Sequence, residues 1–324
     1  MKIYKSLNDF NKTNERTDIT IGNFDGFHSG HRELIFETRD GWFHRSTVLS
    51  RLTAITFDPM PEEFFKKKGF FRIMSSEDKF QAFSESGFKH LIAIPFNEGF
   101  SKITAKEFIE DILIKKLNIN CLTIGSNFRF GNKRLGDINL LKTYAQERDS
   151  EFSDEGKFHL KVIDLKKVFT PDTPVVSSSH IRELIVSGDF RSANKLLKNP
   201  ISITGKVIHG EKRGKDLGYP TANINICDFY PINGIFLVEV LIKGYLHRHG
   251  LASWGNKPTF SGTENTLEVY IFNFDEDIYD EEIKIVFLDK LRDQIKFESK
   301  EELVKQMNDD HKNALVILRA NNEL

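Results

Sequence analysis

Cysteine is scarce in this chain of 324 residues: Cys121 and Cys227 are the only two, far apart and each inside an apolar segment. A disulfide framework is thereby excluded, and the expectation is reduced thiols that fill the core of a cytosolic protein. Long apolar runs are missing too. No stretch reaches membrane-spanning length, and the N-terminus MKIYKSLNDFNK lacks the apolar centre of a signal peptide, so a soluble, cytoplasmic protein with no membrane partner is expected. Neither sign of charge prevails, with 46 Lys and Arg against 47 Asp and Glu and a formal net charge of −1. No basic stripe with interleaved aromatics occurs, which argues against nucleic acid as a partner. The pattern GxxxxGK[ST] is absent, so any nucleotide site must be built on another design.

Phenylalanine, by contrast, is abundant at 29 residues, but it is scattered through element-like segments and forms no repeat. The length suggests two domains of ordinary size. In the first half the β-branched runs DITIGNF, LTAITF, HLIAIPF, CLTIGSNF and HLKVIDL alternate with helix-like segments, which predicts a parallel sheet with crossover helices. One such helix is AKEFIEDILIKKL, with Phe108, Ile109, Ile112, Leu113 and Leu117 at helical spacing. The segment SSSHIRELIVSGDFRSANKLLKNP reads as two short helices closed by Pro200. Beyond it the period changes to two, in SITGKVIHG, GIFLVEVLI, TLEVYIFNF and IKIVFLDKL, which predicts an antiparallel sheet or small barrel. The last segment opens with a capping box, Ser299 with Glu302, and should be a helix with Leu303, Met307 and Ala314 on one face. The boundary is expected between Ile185 and Pro200, dividing the chain into domains 1–186 and 187–324.

The stretch GNFDGFHSGH, residues 22–31, follows the apolar run ITI. A strand, a turn and a helix beginning near His28 would present backbone N–H groups at the carboxyl edge of a parallel sheet, where phosphates bind. Gly22, Gly26 and Gly30 allow close approach of a ligand, and His28 and His31 share one helical face from which both could donate to a phosphate chain during adenylyl transfer. A metal site on the same two histidines is the competing reading. In SSSHIR, residues 177–182, Ser178, Ser179 and Arg182 stand at a helix start, either as an ordinary N-cap or as phosphate ligands. The segment GSNFRFGNKRLGD, residues 125–137, brings Asn127, Arg129, Arg134 and Asp137 after a strand; taken alone it is a loop.

In the second half, GKVIHGEKRGKDLGYPTANI, residues 205–224, sets Gly205, Gly210, Gly214 and Gly218 around Lys212 and Arg213, before Pro220, Thr221 and Asn223. A flexible basic loop followed by a rigid turn bearing a hydroxyl and an amide suits ATP with Mg²⁺; a plain glycine hairpin is the alternative. In NTLEVYIFNF, Glu268 lies on the strand face opposite Leu267 and Val269, where it is either part of a solvated face or a base for a substrate hydroxyl attacking a γ-phosphate.

In order and spacing GNFDGFHSGH, TFDP, GSNFRFGNKRLGD and SSSHIR, and then GKDLGYPTAN, GNKPTF, LEVYIFNFDEDIY and LRDQIKF, the chain resembles the bacterial bifunctional riboflavin kinase/FMN adenylyltransferase (FAD synthetase) family over nearly its whole length. The resemblance implies a Rossmann-like nucleotidyltransferase domain followed by a riboflavin-kinase β-barrel, with riboflavin, FMN, FAD, ATP and Mg²⁺ as substrates, products or cofactors. It implies that Gly22, Asn23, Phe24, Asp25, Gly30, Asn127, Arg129, Ser178 and Ser179 bind nucleotide or flavin beside His28, His31 and Arg182, the residues of adenylyl transfer. In the kinase half it implies Thr221 and Asn223 on Mg²⁺ and the ATP phosphates, and Glu268 as general base. Gly210, Lys212, Gly214, Gly218 and Pro220 would then cover the nucleotide, and Arg292 would lie in the loop that closes on the flavin. Four positions depart from the family pattern: Met60 for histidine, Asn127 for aspartate, His180 for arginine or lysine, and Gln294 for glutamate. A kinase with an inactive N-terminal domain and a flavin-binding regulator without chemistry are the alternatives. Joint presence of Glu268, Thr221 and Asn223 argues against the regulator, which needs no base.

Overall fold

The architecture comes from a computed structural model that describes residues 1–10, 15–39, 51–149, 158–164, 176–210, 214, 217–226, 230–244, 246–259 and 262–321; for 146–149, 256–259 and 262–266 only the backbone is described. Packing divides the chain into two units, Met1–Phe70 with Met74–Ser178, and Phe71–Ile73 with Ser179–Leu324.

The first unit is a six-stranded parallel sheet in the order β1-β4-β3-β2-β5-β6. Its strands are β1 Lys2–Tyr4, β2 Thr17–Ile21, β3 Arg51–Phe57, β4 His90–Ile94, β5 Ile119–Gly125 and β6 His159–Ile163. All five runs of the sequence reading become strands, and β1 is added, too short to show a period. Every residue of β2 is buried, as expected for a central strand covered on both faces. Its polar members are satisfied laterally: Thr17 Oγ1 donates to Leu117 O at 2.6 Å and Thr20 Oγ1 to Thr123 O at 3.1 Å. Because β3 lies on one side of β2 and β5 on the other, the order reverses between β2 and β5, and it is outside the carboxyl ends of strands at such a point that parallel sheets form a ligand crevice. The helices Ser29–Arg39, Ser76–Glu85 and Ile138–Asp149 belong to this unit. The predicted helix at 105–117 is a short α-turn capped by Thr104 that continues as a π-helix over Phe108–Lys116. Phe108, Ile109, Ile112, Leu113 and Leu117 are all buried, as their spacing predicted. Cys121 is buried in β5, where burial pushes its thiol pKa up; Cys227 lies outside the described residues.

The second unit is a closed antiparallel barrel in the order β10-β11-β8-β7-β12-β9. Its strands are β7 Ser202–Ile208, β8 Thr221–Asn225, β9 Gly234–Ile242, β10 Leu246–Thr259, β11 Gly262–Ile271 and β12 Glu282–Arg292. Residues 221–225 correct the sequence reading: they form strand β8, paired with β7 and β11, rather than a rigid turn. The turn comes earlier, where Gly218 adopts φ +80° ahead of Pro220. The helix Lys300–Ala320 covers one outer face of the barrel, burying Ala314 and Leu318 against Leu237, Leu251 and Phe272. Half of its predicted capping box forms: Ser299 Oγ accepts from Glu302 N at 3.2 Å, but the Glu302 carboxylate reaches back to Glu298 N. Phe71–Ile73 packs with this unit as a short strap, the Phe71 ring edge-on to Tyr230 and Tyr230 Oη donating to Ile73 O at 3.0 Å.

Candidate active sites

The loop after β2 carries GNFDGFHSGH to the crevice. Phe24, Gly26 and Phe27 all take positive φ, at 50°, 83° and 45°, so the chain coils tightly before the helix Ser29–Arg39. That strain is held by packing. Phe24 and Phe27 are wholly buried, and both rings stand edge-on to Phe83 at about 5 Å. Gly22 N donates to Ile55 O, the Asn23 amide donates to Glu62 Oε2 at 2.9 Å, and Thr56 Oγ1 donates to Asn23 O. Asp25, 1% exposed, accepts on Oδ1 from Met74 N, while its carbonyl accepts from Ser178 Oγ at 2.8 Å. The segments 22–31 and 177–178 thus meet within the first unit, as their placement at one phosphate site requires. Gly30 is buried in the first turn of the helix.

The two histidines are stacked, ring centroids 3.7 Å apart and planes 21° from parallel. Burial and the Arg32 charge hold the His28 pKa down at about 4. Burial, His28 and the Lys79 charge hold His31 well below the usual imidazole range. Both rings are therefore neutral at pH 7. The Nδ1 atoms of both are buried and lack a hydrogen-bond partner among the described residues. No group of three or more His, Cys, Asp or Glu capable of holding a metal occurs among the described residues, so the metal-site reading of this pair finds no third ligand.

After β5, Asn127 and Arg129 are exposed, and Arg129 faces Asp137 at 3.5 Å. Met60, in contrast, is wholly buried. Ser179 is exposed in the second unit, as the helix Ser178–Ser187 begins. Arg182 donates from Nε to Phe71 O at 2.7 Å, holding the strap.

The barrel builds a different constellation. In the register of β11, Glu268 stands opposite Asn223 of β8 on one side and Ser253 of β10 on the other, while Tyr270 stands opposite Thr221. Side chains two apart share a face, so Thr221, Asn223, Glu268, Ser253 and Tyr270 point the same way. Leu267 and Val269 point into the core, 1% and 0% exposed, as the alternation of the sequence required. The solvated-strand reading of Glu268 gives way to a partly buried carboxylate in a row of polar groups. Gln294 extends the row, its amide donating to Ser253 Oγ at 3.3 Å and lying over Gly255.

Two glycines bring the backbone close against Asn223 and Thr221. A Cβ on Gly210 would sit 2.0 Å from the Asn223 amide nitrogen, and one on Gly214 would sit 2.3 Å from Tyr219 O and 3.3 Å from Thr221 Oγ1. Lys212, predicted to cover the nucleotide, lies outside the described residues, as does Arg213. Arg292 is engaged on three sides: Nε and Nη2 make a bidentate pair with Asp310, Nη2 to Oδ2 at 2.7 Å, and Nη1 donates to Asp293 O. Asp310 is 3% exposed and also accepts from Gln306. Sequence reasoning missed Ser253, Lys79 and Asp310. Ser253 was visible only through strand register, and the two charges sit in segments, SEDKF and NDDHK, that read as solvated helix faces.

Comparison with known proteins finds a family model for each half of the chain. A family model described as FAD synthetase matches residues 10–167, and one described as riboflavin kinase matches 197–318. Curated proteins named bifunctional riboflavin kinase/FMN adenylyltransferase match over nearly their full length. The Buchnera aphidicola (subsp. Schizaphis graminum) protein is 35% identical, covering 96% of both chains. That of Haemophilus influenzae is 32% identical over 96% of this chain and 97% of its own, and that of Escherichia coli K12 is 30% identical over 95% of each. A solved structure described as a macrolide-efflux protein from Streptococcus pneumoniae superposes with a TM-score of 0.81 at 29% identity, covering 96% of this chain and 97% of that one. Among the described residues no helix is long and apolar enough to cross a membrane. With identities of 30% and above across nearly the entire length and both domain models in order, the chain belongs to the bifunctional riboflavin kinase/FMN adenylyltransferase family.

Proposed function

We propose that the chain carries out two consecutive transfers from ATP: riboflavin to FMN in the C-terminal domain, 187–324, and FMN to FAD with release of pyrophosphate in the N-terminal domain, 1–186. The observation that carries this reading is the cross-strand pairing of Glu268 with Asn223, a carboxylate beside an amide in one chain with a stacked, neutral histidine pair.

In the first reaction the Glu268 carboxylate accepts the proton of the ribityl 5′-hydroxyl as that oxygen attacks the γ-phosphorus and ADP leaves. Thr221 Oγ1 and the Asn223 amide oxygen are hard donors of the kind Mg²⁺ takes, and the glycines at 210 and 214 leave room for a phosphate chain over them. The two side chains would hold the ion together with ATP oxygens, and bound Mg²⁺ neutralises charge on the β- and γ-phosphates. In the second reaction a phosphate oxygen of FMN attacks the α-phosphorus of ATP and pyrophosphate leaves. Neutral His28 and His31 donate N–H groups to phosphate oxygens as charge moves to the leaving group, aided by free N–H groups of the helix start at Ser29. Asn23, Asp25 and Ser178 fix the loop around them.

A time course with riboflavin, ATP and Mg²⁺, resolving the three flavins by chromatography, tests the assignment. FMN should rise first and FAD follow. Glu268→Gln should block FMN formation yet still convert supplied FMN to FAD, and His31→Ala should do the reverse. Accumulation of FMN alone by the unaltered protein, or a kinase insensitive to Glu268→Gln, refutes it.

A further inference from the structure

Lys79 is one of the largest fully buried side chains of the protein, 1% exposed, and nothing in the two reactions as described uses it. It sits on the helix Ser76–Glu85, and that helix is the wall behind the β2 loop. At its entrance Met74 N binds Asp25, and one turn beyond Lys79 the ring of Phe83 packs against both Phe24 and Phe27. Residues four apart on a helix share a face, so Lys79 and Phe83 look toward the same loop. Phe24 in turn packs against the His31 ring at 5.2 Å. A buried ammonium therefore stands behind the histidine pair, and its charge is felt at His31.

A histidine that donates to a ligand from one nitrogen usually has its tautomer set by a hydrogen bond at the other. Here that bond is missing: Nδ1 of both rings is the buried atom and has no hydrogen-bond partner among the described residues. The Lys79 charge acts on the ring instead. A positive charge favours the tautomer whose lone pair faces the interior and whose N–H points outward. We propose that Lys79 is a positioning residue for adenylyl transfer, its buried charge fixing His31, and through the ring stack His28, as Nε2–H tautomers that donate to the nucleotide phosphates. Lys79 touches no substrate in this account. It rests on the adenylyl-transfer reading given above.

The test uses the full-length protein with ¹⁵N-labelled histidine, read by long-range ¹H–¹⁵N NMR, with His28→Gln and His31→Gln spectra for assignment. The expected spectrum shows both residues as Nε2–H tautomers at neutral pH. Lys79→Met should convert His31 to a mixed or Nδ1–H population and lower kcat for FMN adenylylation about ten- to a hundredfold, the loss of one charge-assisted hydrogen bond, with KM for ATP changed less than about twofold. Lys79→Arg should restore both signals, whereas a merely space-filling role would be met as well by methionine. Backbone amide shifts of the β1–β6 sheet report that each variant is folded in the first unit. An Nδ1–H tautomer of His31 in the unaltered protein overturns the proposal even if Lys79→Met fails to fold. So does a Lys79→Met protein with unchanged tautomers and kcat. Absence of FAD synthesis by the unaltered protein would instead sink the adenylyl-transfer reading, which the NMR result does not depend on.

Discussion

Truncating Asp310 to alanine is the most demanding test of how the barrel is held to its C-terminal helix. The carboxylate is 3% exposed, accepts two bonds from the Arg292 guanidinium in bidentate geometry and a third from Gln306, and sits four residues before the buried Ala314. Removing one partner of a buried pair costs about 3–5 kcal/mol, because the other charge is left uncompensated. The Arg292 side chain is 17% exposed, and Nη1 keeps its bond to Asp293 O, so water and backbone absorb part of that loss. The expected destabilisation is the lower end, about 3 kcal/mol. With a urea dependence of about 2 kcal/mol per molar, that lowers the unfolding midpoint of the barrel by about 1.5 M. Only two tryptophans occur in the chain, so a Trp42→Phe background leaves the buried Trp254 as a fluorescence reporter inside the barrel. Replacing both Asp310 and Arg292 by leucine should recover most of the loss, since an apolar pair of similar volume carries no desolvated charge. A midpoint within about 0.3 M of the parent for Asp310→Ala, or a double variant as unstable as the single, would show that the pair is not energetically buried.

Other outcomes follow from the two sites. His28 is held neutral by burial down to about pH 4, whereas in the unfolded chain it takes up a proton near its usual value of 6.5. The stability it confers is therefore complete above about pH 6.5 and falls as pH drops toward 4, by up to about 3 kcal/mol; the acid loss in β2 amide protection should shrink in His28→Gln, and equal losses would refute it. Gly210→Ala drives a methyl into the Asn223 amide, so the kinase should lose at least about tenfold in kcat/KM while adenylylation of supplied FMN is unchanged; comparable steady-state kinetics in both variants of the assay would contradict this. Ser253→Ala removes the hydroxyl opposite Glu268 that Gln294 reaches, and a drop in kinase kcat of about three- to tenfold with the barrel midpoint unchanged is expected, measured by coupled ADP release.

Much of this was legible in the sequence because local pattern and tertiary role coincide. The runs at 51–57 and 119–125 are dominated by apolar and β-branched residues, most of them buried, since parallel strands are covered on both faces, and Leu267 and Val269 alternate with Glu268 because one face of β11 is core. The segment Thr221–Asn225 escaped for the opposite reason: TANIN has a single buried side chain, and it is a strand only because β7 and β11 pair with it. Polar strands of that kind carry almost no periodic signal. Lys79 and Asp310 were illegible because a charge in a helical segment declares nothing about its surroundings; what buries each lies on another element. The histidine pair announced itself by spacing, yet its neutrality is a property of burial that no motif encodes.

The strap at Phe71–Ile73 has a bearing on how the chain can be taken apart. Three residues from the first half of the sequence belong by packing to the barrel, where Phe71 meets Tyr230 and accepts from Arg182. A gene fragment that starts at residue 179 would express a barrel stripped of that strap, without the Phe71 ring and Ile73 carbonyl that meet Tyr230 or the Phe71 carbonyl that accepts from Arg182. Splitting the two activities into separate polypeptides, in the laboratory or in evolution, therefore requires a replacement for those three residues and not merely a cut in a linker.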